Sequence, residues 1–342
     1  MKHIKLFEQY VKDIENNLYE GVNNNTNGLP MQILMRGHIG LTGKAEDYTV
    51  KAMAELYDKY IRLVLIKGYE DYNHNEDTPA NRTVKVDFQY PILNMSSDIH
   101  AFIKDPRAKI FNQLDDYLIS KKAMFHQAFA NVDFVPKAVF TIKDIEQLNL
   151  PIIAKPSEGQ SAQGIELFDT YEQVRKSKLE FDLWSEAKDI VSEFRAFILN
   201  GQIIHIAERI HSTTDNKAVG KKNPNEKINL IYIDQELESF PYIQEIEKIS
   251  QELQKVIKLD FWNIDLMLDS NGKLWVPEIN GAPGIGPSMF YAIYKSWVPF
   301  VYNGRQISPE DHAILSEIAN NHRKEMKKLY PKEYKSSLKP MK

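Results

Sequence analysis

The stretch from Trp262 to Gly284 constrains this chain more than any other. Trp262-Asn-Ile-Asp-Leu-Met-Leu268 reads as a strand. Asp269-Ser-Asn-Gly272 is a hairpin signal, because Asp and Asn fold back onto their own backbone and Gly accepts positive φ. Lys273 to Ile279 reads as the return strand, and Gly281-Ala-Pro-Gly284 as the loop behind it. Side chains alternate along a strand, so Glu278 and Asn280 share one face. The hairpin can return that face beside Asp265. Three oxygen-bearing side chains on a rigid platform suit a hard cation such as Mg²⁺, bound together with nucleotide phosphates.

The remaining composition acts mainly by exclusion. A chain of 342 residues has room for two or three domains with a sizeable core. It contains no cysteine, which rules out disulfides, thiolate metal sites and cysteine nucleophiles. A net charge of −4 gives no global pull toward nucleic acid. The N-terminal residues lack the apolar core of a signal peptide, and no apolar run approaches membrane-spanning length. A cytoplasmic protein without membrane or nucleic-acid partners is the expectation.

Taken in order, residues 2–20 carry apolar positions at helical spacing. Met31 to Met35 reads as a strand, Arg36 to Gly43 as a Gly-rich loop, Ala45 to Tyr60 as a helix and Ile61 to Ile66 as a second strand. That order is a βαβ-like opening. The loop matches neither a dinucleotide fingerprint nor a P-loop. It is either a plain turn or, through Arg36 and His38, a contact for a carboxylate or phosphate. Val84 to Phe88 alternates as a strand does, and residues 98–119 read as helical in parts.

A second unit begins near Ser120. Lys121 to Phe129 reads as a helix, Ala138 to Thr141 as a strand, and Leu150 to Lys155 as a buried strand ending in lysine. A lysine there is costly to bury without an anion. The small-residue loop behind it, with Ser157, Ser161 and Gly164, offers amides and hydroxyls that can wrap phosphate. The plainer reading is a hairpin whose lysine reaches the surface. Ile190 to Leu199 pairs through Asn200-Gly201 with Gln202 to Ile206. Glu193 and Arg195 share one face there, and Phe194, Ala196 and Ile198 the other. Residues 209–227 are polar and basic and read as a mobile loop, from which Lys217, Lys221 and Lys222 can close over phosphates. Phe240 to Leu259 is an amphipathic helix. Met289 to Trp297 is helical, and Ser308-Pro-Glu-Asp311 starts a last helix running to about Tyr330. The lysine-rich tail beyond is a solvated end.

A lysine-led helix, a strand ending in Lys155 with its small-residue loop, a strand pair bearing Glu193, and Asp265…Glu278-Ile-Asn280 ahead of Ala282-Pro-Gly284 stand in one order. Glu278 follows Asp265 by thirteen residues and Asn280 follows Glu278 by two. This pattern, over about residues 120–290, resembles the ATP-grasp superfamily. Within it, the chain is similar to carboxylate–amine ligases of the D-alanine–D-alanine ligase and ribosomal-protein glutamate ligase branches. The resemblance implies a mixed α/β and α+β fold, in which two α+β subdomains grip ATP behind a Rossmann-like α/β N-terminal domain. The implied division is 1–118 for that N-terminal domain, 119–187 and 188–306 for the two subdomains, and 307–342 for a C-terminal helix and basic tail. It implies nucleotide contacts from Lys121 or Lys122, from Lys155, and from the loop with Ser157, Ser161 and Gly164. Glu186, Ala187, Lys188 and Ile190 would form the adenine-holding hinge, and Glu193 would bind ribose. Asp265, Glu278 and Asn280 would hold two Mg²⁺ ions, or Mn²⁺. Arg209, Lys217 and Lys221 would lie near the transferred phosphate, with backbone donors up to Gly284 for the oxyanion.

The implied activity joins a small-molecule or peptide carboxylate to an amine by way of an acyl phosphate, releasing ADP and phosphate. A homodimer is one assembly the resemblance allows. A kinase acting on a hydroxyl, or a non-catalytic nucleotide-binding module, are the alternatives on the same fold. One departure stands out: the ligase branch carries an arginine two residues before the metal-binding aspartate, and this chain has Asn263. Arg195 and Arg209 are the candidates to take its place.

Overall fold

The computed structural model describes residues 31–35, 60–65, 91–94, 109–112, 118–156, 165–177, 181–211, 230–284 and 286–331. They fall into two compact units, one of Met1–Asp115, Leu259–Phe261 and Gly281–Lys342, the other of Asp116–Lys258 and Trp262–Asn280.

In the first unit four strands form one parallel sheet: β1 (Met31–Met35), β2 (Ile61–Leu65), β3 (Ile92–Asn94) and β4 (Ile110–Phe111), in the order β2-β1-β3-β4. The two strands expected at 31–35 and 61–66 are present, whereas β3 is a strand the sequence reading passes over. Residues 110–111 are extended rather than helical. The helices expected at 2–20 and over most of 45–60, the strand at 84–88, and the tail lie outside the described residues.

Asn112 ends β4 in the left-handed region, at φ 61°, which Asn tolerates better than most residues. Its fully buried side chain accepts from the Phe261 amide at 2.7 Å and donates to the carbonyls of Phe261 at 2.5 Å and Gly281 at 3.2 Å. The aromatic core of this unit joins Phe111 to Trp297 and Tyr60 to Tyr294 by edge-to-face contacts.

The second unit holds two sheets. One contains β5 (Ala138–Val139), β6 (Ile152–Lys155), β7 (Glu166–Phe168) and β8 (Leu183–Glu186), in the order β5-β8-β6-β7. Ile152, Ala154, Phe168 and Trp184 make its core with Ile145, Leu148 and Val174. Helix α1 (Lys122–Ala128) precedes it, and α2 (Tyr171–Lys176) follows β7 behind a Thr170–Gln173 capping box.

The other sheet contains β9 (Ile190–Leu199), β10 (Gln202–His211), β11 (Leu230–Gln235), β12 (Phe261–Asp269) and β13 (Leu274–Asn280), in the order β11-β10-β9-β12-β13. The β9–β10 turn has φ 47° at Asn200 and 79° at Gly201, the positive pair that a two-residue hairpin requires. At the β12–β13 turn the Asp269 carboxylate accepts from the amides of Asn271 and Lys273, both at 2.9 Å, and Gly272 takes φ 82°. Phe194 packs on Phe240, just ahead of helix α3 (Ile243–Gln254), which buries Ile246, Ile249 and Leu253.

Two expectations are corrected. Arg209 to His211 continue β10 and are not loop. Leu230 to Gln235, beyond the stretch read as loop, form a further strand that the sequence reading passes over. The amphipathic helix is shorter than Phe240 to Leu259.

Back in the first unit, α4 (Pro287–Val301) packs on α5 (Pro309–Leu329), which Ser308 caps by accepting from the Asp311 amide at 3.0 Å. No helix among the described residues is long and apolar enough to cross a membrane.

Asn112→Ala should cost about 2–4 kcal/mol, because it strands one buried amide and two buried carbonyls. The midpoint of urea unfolding measures it.

Candidate functional site

The β9–β10 and β12–β13 hairpins set the register that builds the site. Arg209 stands opposite Glu193, and Ala207 opposite Arg195. Asp265 stands opposite Glu278, and Asn263 opposite Asn280. Directly paired residues share a face. This face is enclosed rather than solvated: Glu193 is buried, and the Arg195 side chain is only 14% exposed.

Asp265 is the centre of this face. Arg195 donates to it through Nε at 2.8 Å and Nη2 at 3.0 Å, a two-pronged contact. Arg209 Nη1 lies 3.5 Å from Asp265 and 3.6 Å from Glu193, so one guanidinium serves two carboxylates. Asn263 Nδ2 donates to Asp265 at 3.1 Å and Asn280 Nδ2 at 3.5 Å. Burial pushes the Asp265 carboxyl up. Arg195 and then Arg209 outweigh that, helped by Glu278, and hold it below the ordinary carboxylate range. Where the sequence lacks an arginine at position 263, two arginines reach the aspartate, one from the adjacent β9 and one from β10 beyond it.

Lys155 ends β6 and is buried. Burial lowers its pKa and the charge of Lys122 lowers it further, while Glu278 and Asp265 oppose both. Lys122, the first residue of α1, therefore shares its field with Lys155, whereas Lys121 sits at the exposed N-cap. His126, one helical turn beyond Lys122, is held down to about 3 by burial and then by Lys155, so its ring is neutral at physiological pH. Its nitrogens lie near the carbonyls of Pro136 and Pro277 without forming well-aligned bonds.

The donor set fits a hard divalent cation: two carboxylates and an amide oxygen from two adjoining strands, close enough to Lys155 to shape its titration. Arg209 Nε and Asn263 Oδ1 are buried and lack hydrogen-bond partners among the described residues, polar capacity that a polyanionic ligand and its metal can absorb.

The expected hinge is also ordered. Glu186 ends β8, its Oε1 accepting from the Asn149 amide at 3.1 Å and the Asn149 side chain at 2.8 Å, its Oε2 lying 2.7 Å from Lys188 Nζ. The Glu186 and Ala187 amides donate to the carbonyls of Lys137 and Pro151. Ile190 opens β9. Gly284 lies in the loop before α4, within the first unit. Ser157, Ser161, Gly164, Lys217, Lys221 and Lys222 lie outside the described residues. Sequence reasoning does not reach His126, Asn149 or Trp275. The four-residue spacing of His126 from Lys122 is the one signal available for any of them.

Comparison with known proteins agrees with this architecture. The family model described as D-ala D-ala ligase C-terminus matches residues 124–297. The chain is 24% identical over 251 residues to the uncharacterized protein MG011 of Mycoplasma genitalium, covering 70% of this chain and 80% of that protein. Among solved structures, N5-carboxyaminoimidazole synthetase from Staphylococcus aureus, complexed with ADP, superposes with a TM-score of 0.52 at 14% identity, over 83% of this chain and 82% of that one. D-alanine–D-alanine ligase from Bacillus anthracis does so with 0.50 at 14% identity, over 80% and 96%. At such identities the likeness is one of fold.

Burial raises the Glu186 carboxyl, but the Lys188 ammonium and the Asn149 donors outweigh it and set its pKa below 4.5. A depressed folded pKa stabilises the fold above the unfolded value and ceases to do so as pH falls through the folded one. Glu186→Gln should therefore cost about 1–2 kcal/mol at pH 7. The gap to the parent protein should close below pH 4.5 in melting curves taken across pH.

Proposed function

Because the chain belongs to the D-ala D-ala ligase C-terminal family of the ATP-grasp superfamily, we propose that its buried sheet face binds Mg²⁺–ATP and activates a small carboxylate for attack by an amine. The protein is an ATP-dependent carbon–nitrogen ligase. What this reading adds is the assignment of its residues. One observation carries that assignment: Arg195, Arg209, Asp265 and Glu278 occupy one face, within the field of the buried Lys155.

Asp265, Glu278 and Asn280 would hold the metal, which supplies neutralisation of the phosphate oxygens and orientation of the γ-phosphoryl group. Lys155 and Lys122 are the phosphate cations, and burial makes Lys155 the stronger of the two. An anion arriving beside a buried ammonium raises its pKa again, so phosphate binding and the charged form of Lys155 favour each other. Lys122 is the better choice over Lys121, since its charge acts on Lys155. Residues 186–190 hold the base and Glu193 the ribose.

Arg195, bonded to both carboxylate oxygens, keeps Asp265 charged and fixed in orientation, the state in which it would serve a metal. Arg209, placed between Glu193 and Asp265, bridges the sugar end and the phosphate end and can stabilise charge developing on the transferred group. Lys217, Lys221 and the serine loop at 157–161 would complete the enclosure of the phosphates, and the backbone up to Gly284 would serve the oxyanion. The acid activated is an amino acid or a peptide carboxylate, and the nucleophile an amino acid or a peptide amine.

A coupled ADP-release screen over amino acids, dipeptides and peptide tails tests the reaction. ADP and free phosphate should appear only when an acid and an amine are both present. Phosphate retained on an acceptor without any amine would instead mark a kinase. Glu278→Gln should lower ADP release by at least about 100-fold while the melting temperature stays near that of the parent protein. Undiminished ADP release by that variant would remove Glu278 from the metal site.

A further inference from the structure

Residues 187–189, which join β8 to β9, have no regular hydrogen-bonded structure of their own, yet they are anchored at several points to the turn and return strand of the β12–β13 hairpin. Lys188 Nζ stands 4.1 Å from the centroid of the Trp275 ring. Lys273 Nζ stands 4.1 Å from the same centroid. Two ammonium groups on one indole would repel if nothing offset them. Each is offset separately, Lys188 by Glu186 Oε2 at 2.7 Å and Lys273 by the Asp133 carbonyl at 2.7 Å. The indole is fixed in turn, since Nε1 donates to Asp269 Oδ2 at 2.9 Å. A backbone bond runs alongside, from the Ser270 amide to the Asp189 carbonyl at 2.9 Å.

The chemistry favours this arrangement. An indole face attracts an ammonium through its quadrupole, more strongly when water is excluded. The Lys188 side chain is 20% exposed, far less than a surface lysine. With its ammonium committed to Glu186 and Trp275, it is not available to reach a phosphate or a base. Lys188 thus positions the backbone of its own segment. Trp275 lies on β13, three residues before Glu278, so one short strand carries both the anchor of this segment and two of the oxygen donors.

We propose that Trp275 is a positioning residue for the nucleotide: through Lys188 and Lys273 it fixes residues 186–189 against the β12–β13 turn, and thereby sets the affinity for the adenosine half of ATP. This rests on the reading of 186–190 as the segment that holds the base. The phosphate half answers to Lys155, Lys122 and the hairpin oxygens, and is independent of the stack.

Calorimetric titration of the full chain with a non-hydrolysable ATP analogue, and separately with inorganic tripolyphosphate, both with Mg²⁺, tests this without any acid or amine. Trp275→Ala should weaken the analogue by about tenfold and leave tripolyphosphate unchanged. Trp275→Phe, which keeps an aromatic face, should recover most of the loss. Lys188→Met should reproduce it, and the double variant Trp275→Ala/Lys188→Met should be no weaker than either single one. Parent-like binding of the analogue by Trp275→Ala and Lys188→Met would overturn the proposal, as would equal weakening of both probes. A parent protein that binds neither probe would overturn the nucleotide-site reading itself.

Discussion

A buried carboxylate cannot keep its charge without a counter-charge close by, and the second unit is arranged around that requirement at Asp265. Two arginines meet it from β9 and β10, and both places are dictated by hairpin register. A one-residue slip of β10 along β9 would turn Arg209 to the other face and leave a buried charge less well compensated. Removing one partner of such a pair commonly costs about 3–5 kcal/mol. The turn residues Asn200 and Gly201, at the far end of these strands from Glu193 and Arg209, therefore help hold the electrostatics around Asp265. The same field explains the neutral His126: next to Lys155, a further positive charge in a water-poor layer is unfavourable.

Much of this was legible in the sequence, and the reasons are local. The β12–β13 platform and the β9–β10 hairpin announce themselves by two-residue alternation and by turns whose residues tolerate positive φ. Glu278, Asn280 and Asp265 follow from that alternation plus one turn. Strand β6 is visible because an apolar run ends on a lysine. The family resemblance read from these motifs agrees with the matched region, which spans both the helix with His126 and the platform.

What escaped was set by contacts distant in sequence. Strand β11 exists because it closes onto β10, and six residues after a polar stretch give little periodicity to read. Arg209 sits in a segment whose composition is that of a loop, yet pairing with Glu193 and Tyr232 draws it into a strand. The double hold on Asp265 was anticipated only as a choice between Arg195 and Arg209; the fold uses both. Asn149 and Trp275 carry no motif at all. Their roles arise from Glu186 and Lys188, side chains that composition alone would assign to solvent.

The path of the chain at Asn112 has one more consequence. Residues 262–280 leave the first unit just after Phe261 and re-enter it at Gly281, and the carbonyls of those two residues accept from the same Asn112 amide group. The hairpin that carries Asp265 and Glu278 is thus a lasso drawn shut at its neck. When its strands separate, their ends stay pinned, so closing the loop again requires little further loss of chain entropy. A hairpin tethered in this way can breathe along its length and still return to one register.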